Sequence, residues 1–318
     1  MNILFTILYI ILGIIFLYKG SEWLVGSSER LARYLKVSRS VVGLTIIAIG
    51  TSLPEFVTSL TATVSGSSDV ALGNVIGSNM ANIGLVLGLA IIIKPFRIEL
   101  KELLRDGPWL ILGTVLLLIM AIDGKFSRID GVILTVFAVI FFYSIVKRVR
   151  GTRLAEKDLP WQDEFHLKAK DRVHNIILII IGIIVLVGGA VLLVKGAVEM
   201  AVLLNLPELL VGLTIVAIGT SLPEIAVTSW SSSHGQSQIA LGNVIGSNIS
   251  NIFIILGLVS IISPIQVSPK AIAFDIPIMV LLTLLALFFM KTKESVSRWE
   301  GFILLIFYVS YIVWTFLI

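Results

Sequence analysis

The chain has 318 residues, of which 57% are hydrophobic and only 14% charged, with a mean hydropathy of +1.03. Soluble domains run nearer a quarter charged, so a water-facing surface cannot be assembled from this inventory and most of the protein is solvated by lipid. It contains no cysteine, which excludes disulfides, thiolate metal sites and cysteine nucleophiles.

Apolar runs follow in chain order at 3–18, 40–62, 70–93, 108–122, 130–146, 174–194, 209–231, 238–262, 271–290 and 300–318. A bilayer needs about 20 helical residues, and the flanks extend the shorter runs toward that length. The runs lack the polar-in, apolar-out alternation of barrel strands, so each predicts a membrane helix. The first begins at Met1-Asn2 without a basic segment or a small-residue cleavage site, and is expected to be retained as a span. With loops numbered by the span they follow, the odd loops hold 20 of the 24 Lys and Arg. The exceptions are Lys125, Arg128, Lys195 and Lys270. Positive charge gathers on the cytoplasmic side, so the pattern predicts a multi-pass cell-membrane protein with both termini extracellular. It also accounts for the basic segment 147–172 by topology, leaving no case for nucleic acid.

The sequence repeats itself at an offset of 169. GLTIIAIGTSLPE (43–55) pairs with GLTIVAIGTSLPE (212–224) at twelve of thirteen positions, and ALGNVIGSN recurs unchanged at 71–79 and 240–248. At an offset of 170, RIDGVIL (128–134) resembles RWEGFIL (298–304). The chain therefore divides into residues 1–147 and 173–318, joined by a short cytoplasmic linker at 148–172; the strongest identity lies in 43–89 and 212–258. Five spans per half send the second half into the membrane upside down. The expected fold is an all-α polytopic membrane protein with ten transmembrane helices as two inverted five-helix repeats, a plan that puts substrate at the midplane between repeats.

Of twenty Asp and Glu, Glu55 and Glu224 alone lie deep inside long apolar runs. A charge there costs about 2.5–3.5 kcal/mol on insertion scales and demands a partner, yet no run offers Lys or Arg at comparable depth. A bound cation, a proton, or both must balance them. Pro54 and Pro223 each remove a helical hydrogen bond and free carbonyls around Gly50–Thr51 and Gly219–Thr220. Such carbonyls are tolerated at this depth only where they line a cavity or meet a ligand. Thr51 and Glu55 share a helix face, as do Thr220 and Glu224, Ser78 and Asn82, and Ser247 and Asn251. Carboxylates, hydroxyls, amide oxygens and carbonyls form an all-oxygen set that suits hard cations, one Ca²⁺ or two Na⁺ against a charge of −2. The Gly73–Gly77 and Gly242–Gly246 pairs read first as close-packing motifs between helices. With no buried histidine or nucleophile–base pair near Glu55, no enzyme is expected.

The doubled GTSLPE followed by GNVIGSN resembles the sodium/calcium exchanger family, prokaryotic type, of the calcium/cation antiporter superfamily, across essentially the whole chain. The resemblance implies a secondary active antiporter that exchanges Na⁺ for Ca²⁺ by alternating access, the ions competing at a mid-membrane site. It assigns Glu55 and Glu224 as shared carboxylates, and the Thr51 and Thr220 carbonyls to Ca²⁺. The Ala48 and Ala217 carbonyls, with Ser52, Ser221, Ser78 and Ser247, would line Na⁺ sites, and Asn82 and Asn251 would flank the centre. It implies no cofactor and no obligate protein partner, only the two ions and the bilayer. Some relatives carry Asp where this chain has Asn251. Proton-coupled calcium exchangers add an acid after the Gly-Asn that both GNVIGSN copies lack. A H⁺/Ca²⁺ exchanger and a cation channel are the alternatives.

Overall fold

The computed structural model describes residues 3–154, 169–204, 217–292 and 295–317. The first half contains α1 (Ile3–Leu35), α2 (Arg39–Val42), α3 (Ala48–Thr51), α4 (Leu53–Val64), α5 (Ser68–Ala81), α6 (Gly88–Ile93), α7 (Leu100–Ala121) and α8 (Arg128–Leu154). The second contains α9 (Ala169–Leu203), α10 (Ala217–Gly219), α11 (Leu222–Ser233), α12 (Ser237–Ser250), α13 (Gly257–Ile262), α14 (Ile276–Thr292) and α15 (Arg298–Leu317). π-helical turns at Gly43–Ile47, Asn82–Leu87, Asn251–Leu256 and Ala271–Asp275 join several of these end to end. Among the described residues, seven helical stretches are long and apolar enough to cross a membrane. Arg39–Thr51 and Leu53–Val64, bent by 45°, make up to an eighth.

The helices outrun the apolar runs that predict them. The run 3–18 becomes a helix to Leu35, and α8 and α9 enter the expected linker from either side, at Leu154 and Ala169. The extension of α1 has a packing cause: its continuation buries Gly20, Ser21, Leu24, Val25, Ser27 and Ser28. The first part of the run 209–231, through residue 216, lies outside the described residues.

α1 lies along α9, and small residues set the distance. A Cβ on Gly13 would stand 2.7 Å from Leu193 N, one on Gly20 2.7 Å from Leu186 N, and one on Gly182 2.8 Å from Leu24 N. As the α1 residue number rises its α9 partner's number falls, so the two helices run antiparallel. Lipid gives apolar helices no hydrophobic reason to associate, so this backbone approach and its dispersion contacts hold the pair. Gly13 and Gly182 are equivalent in the sequence repeat, so this one pair of equivalent helices points in opposite directions.

Other contacts between the halves come as repeat-equivalent pairs. Gly88 approaches the carbonyl of Gly301, and Gly131 that of Gly257. Two short antiparallel ladders, absent from the sequence reading, pair Phe96 with Val296 and Phe126 with Ile265. Gly242 packs on Gly43, and Gly246 on Leu44 and Ala48, as the close-packing motif predicts, whereas a Cβ on Gly73 or Gly77 would meet nothing within 4 Å among the described residues. The counterpart of Gly43 is Gly212, outside the described residues.

Gly20→Val is expected to destabilise the α1–α9 seam by about 1–3 kcal/mol or more, since the added carbons meet backbone that cannot yield. Gly26→Ala, whose Cβ would meet only Arg30 Nη1 at 3.5 Å, is the matched control. Thermal unfolding in detergent measures both, and equal melting temperatures would refute the seam.

Candidate ion-binding site

Both GTSLPE motifs break their helix at the serine. Ser52 has φ −84° and ψ 10°, and Ser221 φ −84° and ψ 3°, outside helical geometry in both repeats. The prolines then sit in the first turn of α4 and α11, where a missing N–H is harmless. The cost falls on the preceding turn, where Gly50 and Gly219 lose the N–H their carbonyls would otherwise meet. Glu55 and Glu224 follow in the first turn of the new helices, at their positive N-terminal ends.

The two glutamates are 1% and 0% exposed, and three of their four carboxylate oxygens have no hydrogen-bond partner among the described residues. The fourth, Glu224 Oε1, accepts from Ser52 Oγ at 3.0 Å, across the repeats. Thr220 and Ser221 lie beside Glu55 in the mirrored sense, but their hydroxyls stand outside hydrogen-bond geometry with it and with the other described residues. Thr51 Oγ1 lies 3.1 Å from Asn243 Oδ1, 3.2 Å from the Ala48 carbonyl and 3.4 Å from Ser247 Oγ. Its single proton serves only one of the two carbonyl oxygens at a time.

Asn82 and Asn251 each open a π-helical turn and are buried, with both amide atoms unpartnered. The Asn82 turn packs against α11, which carries Glu224, and the Asn251 turn against α4, which carries Glu55. Each carboxylate-bearing helix thus packs against an asparagine turn: α11 against the turn from the first repeat, α4 against the turn from the second. Ser78 is buried in α5, one turn before Asn82. The Ala48 carbonyl also accepts from Ser52 N at 3.1 Å, while Ala217 begins α10. Among the described residues no three His, Cys, Asp or Glu gather, so a cation held here depends on neutral oxygens for most of its shell.

Sequence reasoning missed Asn74 and Asn243. Asn243 donates to Thr228 Oγ1 at 2.9 Å, which orients its amide so that Oδ1 faces Thr51. Asn74 donates to the Glu55 carbonyl at 3.1 Å and to Ser59 Oγ at 2.8 Å. Their signal was present, since both sit at the same place in the two GNVIGSN copies.

The surroundings of the site are unequal on its two sides. α1 packs along α11, whereas a cleft of about 840 Å³ separates α4 from α9, lined by Pro54, Thr58, Ile183, Val191, Lys195 and Thr220 among others. Gly50 meets Ile183, yet its repeat equivalent Gly219 meets Val194 of the same helix.

Carboxylates and unpartnered oxygens carried into a membrane core by broken helices define an ion-transport protein. The family model described as sodium/calcium exchanger protein matches residues 5–147 and 174–317, and the chain belongs to that family. It is 34% identical over 348 aligned residues to the sodium/calcium exchanger MaX1 of Methanosarcina acetivorans, covering 98% of each chain. It is 37% identical to the uncharacterized membrane protein MJ0091 of Methanocaldococcus jannaschii over 301 residues, 95% of each. Among solved structures, the sodium-calcium exchanger NCX_Mj soaked with Na⁺ and Ca²⁺ superposes with a TM-score of 0.83. That pair is 36% identical and covers 98% of this chain and 99% of the other.

Asn243→Leu removes the oxygen facing Thr51 and the donor to Thr228. Thr51 keeps the Ala48 carbonyl as acceptor, but the buried Thr228 hydroxyl loses its donor, and stability is expected to fall by about 1–3 kcal/mol. Thermal unfolding of the variant measures the loss; a melting temperature equal to the parent's would remove Asn243 from the site's framework.

Proposed function

We propose that this protein is a secondary active antiporter that moves Ca²⁺ against Na⁺ across the cell membrane by alternating access. One observation carries the reading: two facing repeats each bury a glutamate, and three of the four carboxylate oxygens lack a protein partner. Two negative charges, hydroxyls, amides and proline-released carbonyls match hard cations such as Ca²⁺ and Na⁺. Glu55 and Glu224 would be shared by both ions, with Thr51 and Thr220 giving carbonyls to Ca²⁺. Ser52, Ser221, Ser78, Ser247 and the Ala48 and Ala217 carbonyls would serve Na⁺, and Asn82 and Asn251 the centre. A Na⁺ taking the Ala48 carbonyl would displace the Thr51 hydroxyl, which has Asn243 as an alternative acceptor.

The architecture proposed is ten transmembrane helices as two inverted five-helix repeats, residues 1–147 and 173–318, around the linker 148–172. The antiparallel α1–α9 seam and the equivalent Gly88–Gly301 and Gly131–Gly257 contacts support it. The basic loops put that linker in the cytoplasm and both termini outside. On that orientation the α4–α9 cleft opens outward and the α1–α11 contact closes the inside, an outward-facing state. Competition supplies the coupling, since the same carboxylates bind either ion set.

The test is ⁴⁵Ca²⁺ uptake into proteoliposomes loaded with Na⁺ or choline at matched pH, with Glu55→Gln in parallel. Uptake is expected to require internal Na⁺ and to fall at least about tenfold in the variant, the equivalent of about 1.4 kcal/mol. Uptake driven by a pH step and indifferent to Na⁺ would replace this reading with proton exchange. Flux without any counter-ion, far above carrier rates, would replace it with a channel.

A further inference from the structure

We infer that the inner half of the ion path runs between α1 and α11, past Thr228, Ser231 and Ser28, and that Glu29 latches it shut. The inference rests on the alternating-access reading. Glu224, Thr228 and Ser231 stand at i, i+4 and i+7 on α11, so one polar stripe descends from the site's carboxylate toward the basic-loop face. All three are fully buried. α1 packs along this helix, and it buries Ser21 and Ser28, also seven residues apart.

Two of these hydroxyls do not behave as structural ones. Ser21 Oγ donates to the Leu17 carbonyl at 2.7 Å, and Thr228 accepts from Asn243. Ser231 Oγ and Ser28 Oγ, by contrast, have no hydrogen-bond partner among the described residues. A buried hydroxyl without a partner is disfavoured and rare in a settled interface. Packing does not demand them either, because the repeat-equivalent positions hold Ala62 and Ala197, small residues with no hydroxyl. Hydroxyls in those two places gain partners when the interface parts and water or a passing cation enters.

The closure has its own fastening at the same end. Glu29 accepts from Arg33 Nη2 at 2.9 Å, from Arg39 Nη2, and from Gln236 Nε2 at 2.6 Å. Gln236 lies in the turn between α11 and α12, so this cluster ties the inner end of α1 to the element it closes against. The repeat-equivalents of Glu29 and Gln236 are Val198 and Ser67, which cannot form such a cluster. The latch therefore belongs to one side only, opposite the α4–α9 cleft.

The cysteine-free chain makes the test direct. Ser231→Cys and, in the outer cleft, Thr58→Cys are each built with and without Glu29→Gln and placed in sealed vesicles of known orientation. A membrane-impermeant charged methanethiosulfonate is the probe. Ser231→Cys is expected to react only from the basic-loop side, and roughly two- to fivefold faster with Glu29→Gln. Thr58→Cys is expected to react from the opposite side and to change when bath Na⁺ is replaced by Ca²⁺. If Ser231→Cys is inert from both sides, or indifferent to Glu29→Gln, while Thr58→Cys still responds to ions, the path and latch are wrong and alternating access stands. If neither cysteine responds to ions, alternating access falls and takes this inference with it.

Discussion

Two carboxylates held in a low-dielectric interior without a protein cation set the terms for the rest of the structure. An ionised carboxylate loses several kcal/mol of hydration on burial, and only close opposite charge or dense hydrogen bonding returns it. The ion pairs described here form elsewhere: Lys19 with Glu22, Arg33 and Arg39 with Glu29, and Arg105 and Arg148 with Asp106. Asp106 shows what a settled buried carboxylate looks like, 2% exposed with a guanidinium on each oxygen. Glu55 and Glu224 have nothing comparable. Their neighbours are neutral oxygens, which share a cation well but cannot replace one.

Neutral oxygens at mid-membrane are themselves a difficulty, because a regular helix consumes its carbonyls and points few side chains at any one spot. The serine–proline break solves this on one pair of helices and the π-helical turn on the other. Wider turns of this kind recur at functional positions because they re-aim the side chains around them. Asn82 and Asn251 stand at the first residue of such turns, each packed against the opposite repeat's carboxylate helix. Neither half of the chain therefore holds a whole site. The seams that keep the halves together are accordingly close, with Gly13, Gly20 and Gly182 within van der Waals reach of the facing backbone.

The parts of this arrangement legible in the sequence were those written as exceptions to local rules. A glutamate and a proline inside an apolar run, repeated at one offset, have few explanations. The shared helix face expected of Thr51 and Glu55 does not form, because the helix breaks at Ser52 between them and the Thr51 hydroxyl turns to Asn243 of the other repeat. Helix ends were less legible. Hydropathy ends α1 near residue 18, but the helix continues to Leu35 because glycines and serines there pack against other helices, which no local window registers. The π-helical turns and the two-residue ladders depend on tertiary partners and left no periodic trace. Asn74 and Asn243 were visible only as members of a glycine motif, and their hydrogen bonds across helices are a property of the assembled bundle.

Identical motifs nevertheless end in different states. Ser52 donates to Glu224 at 3.0 Å, whereas Ser221 lies beside Glu55 outside hydrogen-bond geometry; Thr51 meets Asn243, whereas Thr220, also beside Glu55, completes no hydrogen bond among the described residues. With twelve of thirteen residues the same, local sequence cannot produce that difference. What differs is the register against the α1–α9 pair, since Gly50 and Gly219 meet residues eleven apart on a single helix, Ile183 and Val194. Exchanging the roles of the two repeats would give a second arrangement of nearly the same contacts, with the free and bound hydroxyls reversed. On the proposed reading that second arrangement faces inward. The two states then differ in energy only through the residues that break the repeat, and Glu29, Ser28 and Ser231 are among those. An antiporter needs two states close in energy and a cargo that decides between them. Near-identical motifs at the site, one from each repeat, favour the first condition, and two uncompensated carboxylates supply the second.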